Sequence, residues 1–172
     1  TEMDNGDINV TANDLLFYTF SSTDMKSFAR FEAAIPQSVT IGTCYVQLYV
    51  SGASTMNQNI YFEKAASPST CSGDNNDISS RTTTTATVWW SEVWGSTGVW
   101  EGADIELKTV LQEVVNAFTT TYVAWISKRH SVTNHTATAR TVDFSPSLSP
   151  KIHIEYSVGD AIPSGRSYAQ VF

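Results

Sequence analysis

The sequence predicts an all-β protein, an antiparallel β-sandwich with one amphipathic helix near residues 104–118. Three observations carry that reading. Apolar residues recur at every second position in short runs from Leu15 to Tyr156, the pattern of strands with one buried face. A β-branched run, Thr85-Ala86-Thr87-Val88-Trp89-Trp90, leads into a loop that carries Trp94 and Trp100. That loop delivers the one stretch with helical spacing, Asp104 to Phe118.

Taken in order, Leu15 to Phe20 is a short apolar strand, and Phe28 to Glu32 alternates. Pro36 marks a turn, because proline cannot donate to a ladder. Val39 to Val50 is the clearest strand. Cys44, Val46, Leu48 and Val50 share its core face, and Thr43, Tyr45, Gln47 and Tyr49 take the other. Asn59 to Lys64 turns Ile60 and Phe62 inward. Ala65 to Ser80, rich in Ser, Asn, Asp and Gly, reads as a long exposed loop. A strand follows from Thr82 to Trp90. In the helix Leu107, Val110, Leu111, Val114, Val115 and Phe118 form the apolar stripe. Asp104 stands at the expected N-cap, and Glu106 and Glu113 fall on the wet side as solubilising charge. The helix is expected to plug one open end or face of the sandwich. Tyr122 to Ile126, Thr136 to Phe144 and Lys151 to Tyr156 complete the strands, with Lys128-Arg129-His130 a solvated turn. Residues 1–156 then form a single domain, and 157–172 form a C-terminal arm in which Tyr168, Val171 and Phe172 are the candidate assembly contacts.

Composition narrows the partners. The formal charge of −7, from 10 Lys and Arg against 17 Asp and Glu, argues against nucleic acid, which needs a clustered basic surface. No apolar run approaches the ~20 residues that cross a bilayer, so no membrane partner is expected. No signal peptide opens the sequence, which fits either a mature exported chain or one made without a signal. Cys44 and Cys71 are the only cysteines, too few for a zinc site. They are either a disulfide, worth ~3 kcal/mol, or two ordinary thiols.

Several of these runs fall in a familiar order. Arg30-Phe31, Ile35-Pro36-Gln37 and Val39-Thr40-Ile41-Gly42-Thr43-Cys44-Tyr45-Val46-Gln47-Leu48 come first. Thr85 to Trp90, Trp100, Asp104-Ile105, Val110 and Gln112-Glu113-Val114-Val115-Asn116 follow. Arg140, Asp143, Pro150 and Ile152-His153-Ile154-Glu155-Tyr156 close the series. Over residues 28–156 the chain resembles the DNRLRE-like family of β-sandwich (jelly-roll) modules. Members accompany extracellular polysaccharide-degrading enzymes, and similar chains occur among phage virion proteins. The resemblance implies a jelly-roll-like sandwich and a non-catalytic role, with carbohydrate binding in some relatives. This chain departs from the pattern after the helix, where Phe118-Thr119-Thr120-Thr121-Tyr122 replaces a Trp-Gly motif, and in its short N-terminal strand.

The tryptophans are the ligand candidates. Aromatic rings suit the apolar face of a sugar, yet Trp is also a highly buried residue. Trp89 and Trp90 are adjacent on a strand, so one of them must leave the core face. Trp90, Trp94 and Trp89 are therefore the candidate binding residues. Asp74-Asn75-Asn76-Asp77 lacks the ligand spacing of a calcium loop and reads as solvated. His130, His135 and His153 are scattered, and no nucleophile elbow, metal motif or phosphate loop occurs. No catalytic residue, metal site or cofactor is expected.

Two functions follow. One is a non-enzymatic structural protein on the surface of a virion or similar assembly, a capsid decoration or cement subunit that forms homo-oligomers or shells. The other is a carbohydrate-binding or adhesion module of a secreted bacterial protein, with a glycan as partner. Both place the protein on a virion surface or outside the cell.

Overall fold

A computed structural model of the chain describes residues 1–3, 7–9, 13–20, 23–130 and 136–159. The strands are β1 (Asp14–Phe20), β2 (Thr23–Asp24), β3 (Lys26–Ile35), β4 (Thr40–Gly52), β5 (Thr55–Phe62), β6 (Val88–Val93), β7 (Trp100–Glu101), β8 (Thr120–Arg129), β9 (Thr136–Arg140) and β10 (Lys151–Ser157). Two helices join them, the single turn α1 (Asp77–Ser80) and the ten-residue α2 (Lys108–Ala117). All strand pairs are antiparallel, in one sheet of six strands and one of four. The protein is an all-β sandwich. The proposed arm residues Tyr168, Val171 and Phe172, and His135, lie outside the described residues.

The pairing is that of one long hairpin rolled up. β5 pairs with β6, β4 with β7, β3 with β8 and β1 with β9, each pair enclosing the one before. Rolling this ribbon adds β5 against β8 and β4 against β9. Nested pairs closed in this way make a jelly roll. The core lies between the sheets, where Cys44, Val46, Leu48 and Val50 are fully buried beside Ile60, Phe62, Trp90 and Trp125.

β4 is the central strand, and its two edges carry different partners. The Val50 N–H donates to the Val99 carbonyl at 2.9 Å, and its carbonyl accepts from Gly98 N–H at 2.8 Å. The Cys44 carbonyl accepts from Leu107 N–H at 2.6 Å, and the Cys44 N–H donates to Glu106 Oε1 at 2.9 Å. That edge thus belongs to residues 98–107. Backbone groups alternate in direction along a strand, so β9 and β10 lie one after the other along the opposite edge. Residues 141–150 loop out between them.

Several boundaries differ from the sequence reading, each for a local reason. The helix starts at Lys108 rather than behind an Asp104 cap. Gly102 (φ +98°) turns the chain, and the bonds from Cys44 hold residues 106–107 against β4. Leu107 takes the N-cap position, and Glu106 Oε1 accepts from the Lys108 N–H at 2.9 Å. The strand expected from Thr82 begins only at Val88, because the N–H groups of Thr85 and Ala86 donate to Glu113 instead of to a ladder. Lys128 and Arg129 finish β8 and are not a turn. The loop after β5 contains α1, whose Ile78 is buried.

Glu106 and Glu113 are therefore structural acceptors, not solubilising charge. Glu113 holds Ala86 and Thr85 N–H at 2.8 and 2.9 Å and Lys64 Nζ at 3.0 Å. Gln112 does the same for the other sheet, accepting from Ile41 N–H and donating to the Val39 carbonyl, both at 2.8 Å. Val110, Leu111, Val114 and Val115 are buried beneath them, so α2 closes the sandwich between β4 and β5.

Candidate functional site

The outer surface of the four-stranded sheet divides into a covered half and an open half. Over β3 and β8 lies the 65–81 loop. Arg30 Nε donates to the Pro68 carbonyl at 2.7 Å, with its guanidinium 3.4 Å from the Tyr122 ring centre. Arg81 bonds Glu63, Asp77 and the Ser69 and Thr70 carbonyls, and lies over Phe28. Asp77, expected in a solvated loop, is one of its acceptors. The N–H of Ser72 and the guanidinium of Arg81 outweigh partial burial and lower the pKa of Asp77.

The open half is formed by β5, β6 and the end of β8. Alternation along β6 sends Trp90 into the core and Trp89, Ser91 and Val93 outward; Trp89 is 55% exposed and Val93 73%. In register opposite Trp89 and Ser91 stand Asn59 and Asn57 of β5. The Trp89 Nε1–H donates to Asn57 Oδ1 at 2.8 Å. Its indole stacks on His130, with centroids 4.7 Å apart and planes at 20°. His130 Nδ1 lies 2.9 Å from Asn59 Oδ1. Tyr61 extends the row along β5, with Lys128 Nζ 5.0 Å from its ring centre. The result is an exposed ring fixed by an amide at its N–H and by a stacked histidine that a second amide holds.

Of the three candidate tryptophans, only Trp89 can meet a large ligand. Trp90 and Trp94 are 0% and 1% exposed and pack edge to face at 6.1 Å. Phe17 joins Trp94 at 5.8 Å, and both indole N–H groups donate to Glu92 Oε2. Trp90 fills space behind Gly102, whose added Cβ would lie 2.4 Å from Trp90 Cη2. These two rings are core residues, which corrects their place among the binding candidates. Neighbouring residues that the sequence reading passed over, Asn57, Asn59, Tyr61 and His130, complete the face. The alternation Asn57, Asn59, Tyr61 was visible, but its register against Trp89 was not.

Cys44 and Cys71 are both free thiols, so the disulfide alternative is excluded. Cys44 lies in the core between the sheets, where burial pushes its thiol pKa well up. Cys71 lies beyond β3, in the loop that covers the four-stranded sheet, and lines a cavity of about 460 Å³ with Phe28, Phe31 and Ile78. Among the described residues no group of three or more His, Cys, Asp or Glu is placed to hold a metal ion. No described helix is long and apolar enough to cross a membrane.

No family model matches the sequence, and no curated protein matches it.

Proposed function

We propose that this protein is a non-enzymatic module that binds carbohydrate through the Trp89 face. The observation that carries the reading is the exposed Trp89 indole, fixed by Asn57 and His130 beside Asn59 and Tyr61. A pyranose offers a ring with an apolar face and a rim of hydroxyls. A flat indole answers the first and side-chain amides the second. The resemblance to DNRLRE-like modules supports the same ligand class. A glycan array on the full chain, repeated with Trp89→Ala, tests it. Binding by the parent and its loss in the variant, at unchanged melting temperature, is the expected outcome. Equal binding by both removes the Trp89 face from the reading.

A second reading has its own support. As a structural subunit on a virion surface or similar assembly, the protein needs surfaces that join copies. The outer edge of β10 is such a surface, because β4 on its inner side is its one strand partner among the described residues. The two readings are compatible, since a surface subunit can also hold glycans. Mass photometry of the native particles decides the second: many copies per particle uphold it, and a free monomer at all concentrations ends it.

A further inference from the structure

We propose that β10 joins two copies of this chain edge to edge across a twofold axis, making one continuous sheet through the pair. This deepens the assembly reading and rests on it.

Cys44 of β4 spends its N–H and carbonyl on Glu106 and Leu107, away from β10. The hydrogen-bonded pairs between β4 and β10 are therefore Thr43 with Glu155, Tyr45 with His153 and Gln47 with Lys151. Ile152, Ile154 and Tyr156 turn their N–H and carbonyl groups to the other edge, where no described residue meets them. β1, the neighbour of β9, starts at Asp14 opposite Arg140 and does not run beside β10. The open edge spans seven residues, roughly 23 Å. No proline interrupts β10, and the one register shift in its pairing, between Glu155 and Tyr156, puts the extra residue, Gly42, on β4 and not on β10.

The side chains then select the partner. An antiparallel copy of the same strand centred on Ile154 places Ile154 opposite itself, Ile152 opposite Tyr156, and His153 opposite Glu155. The inward row joins apolar to apolar, as the burial of Ile152 and Ile154 requires. The outward row joins imidazole to carboxylate, and the twofold makes that contact twice. Within one copy the His153 Nε2 to Glu155 Oε1 distance is already 3.2 Å, with Tyr45 stacked on the imidazole at 4.7 Å. The Glu155 side chain is 50% exposed, so it can turn to a second imidazole at little cost. A twofold contact must be self-complementary, and this strand is. Parallel pairing in register would instead set Glu155 against Glu155.

Backbone amide exchange on the full chain tests the proposal, read beside sedimentation over a range of concentrations. The expected result is a dimer in which the Ile152, Ile154 and Tyr156 amides are slow, becoming fast on dilution to monomer. Glu155→Lys should raise the dimer dissociation constant about tenfold, because the twofold counts each lost pair twice. Tyr156→Pro removes an N–H that points away from β4 together with a ring packed against the core, so it should abolish the dimer and lower the melting temperature. Tyr156→Ala, which loses the ring and keeps the N–H, should lower the melting temperature alike and still dimerise. A dimer whose three amides stay fast overturns this surface and leaves the assembly reading standing. A monomer at every concentration overturns both. Slow amides in a monomer show that the chain covers its own edge, and also overturn the proposal.

Discussion

Adjacent residues with opposite fates carry most of the chemistry here. Trp89 and Trp90 differ only in which side of β6 they occupy, yet one is a candidate ligand platform and the other a core residue. Trp89→Ala should leave the melting temperature nearly unchanged and remove glycan binding. Trp90→Ala should cost about 3–5 kcal/mol in denaturant titration, the range for a large buried aromatic. Gly102→Ala should be as damaging as a core deletion. The added methyl meets Trp90 and the Val46 carbonyl at 2.4 and 2.5 Å, on a backbone (φ +98°) that side chains resist. In native protein a thiol reagent should label Cys71 and reach Cys44 only after unfolding; equal rates would refute the core placement of Cys44. At this scale the sequence revealed that one of the tryptophan pair must face out. It could not say which, because that depends on the phase of β6 against the core.

Elements behave differently from their sequence patterns when side chains compete with backbone for hydrogen bonds. The apolar stripe of α2 was legible, since spacing alone sets which face is buried. Its polar face was misread, because a carboxylate that accepts backbone N–H groups from a distant loop has no local signature. Glu113 illustrates the energetics. Partial burial raises its pKa, but the N–H groups of Ala86 and Thr85 and the ammonium of Lys64 outweigh that and hold it below the usual value. A depressed carboxylate adds stability above its unfolded pKa and loses it as pH falls through the folded one. Glu113→Gln should therefore cost about 1 kcal/mol at neutral pH, after allowance for its exposure. The difference from the parent should shrink as pH falls below ~4.3, the ordinary glutamate value. Urea titrations at neutral and acidic pH measure both, and a gap that widens in acid would contradict the tether.

Over the whole molecule, alternation made an antiparallel sandwich legible, while the nesting of its strands was beyond local pattern. Nothing in Asp14 or Arg140 announces that they meet, yet Arg140 Nη1 lies 3.2 Å from Asp14 Oδ1. The two residues are 126 positions apart. That separation has a kinetic consequence. A rolled hairpin closes from its inner pair outward, so β1 waits for β9, and one edge of β4 waits for β9 and β10. Contacts of such long range make folding slow, in the millisecond-to-second class typical of non-local β-proteins. On the ribosome, at roughly 5–20 residues per second, the edge of β4 that takes β10 stays unpaired for several seconds before residues 151–157 are made. The same strand that completes the fold is thus synthesised after most of the surface it must protect.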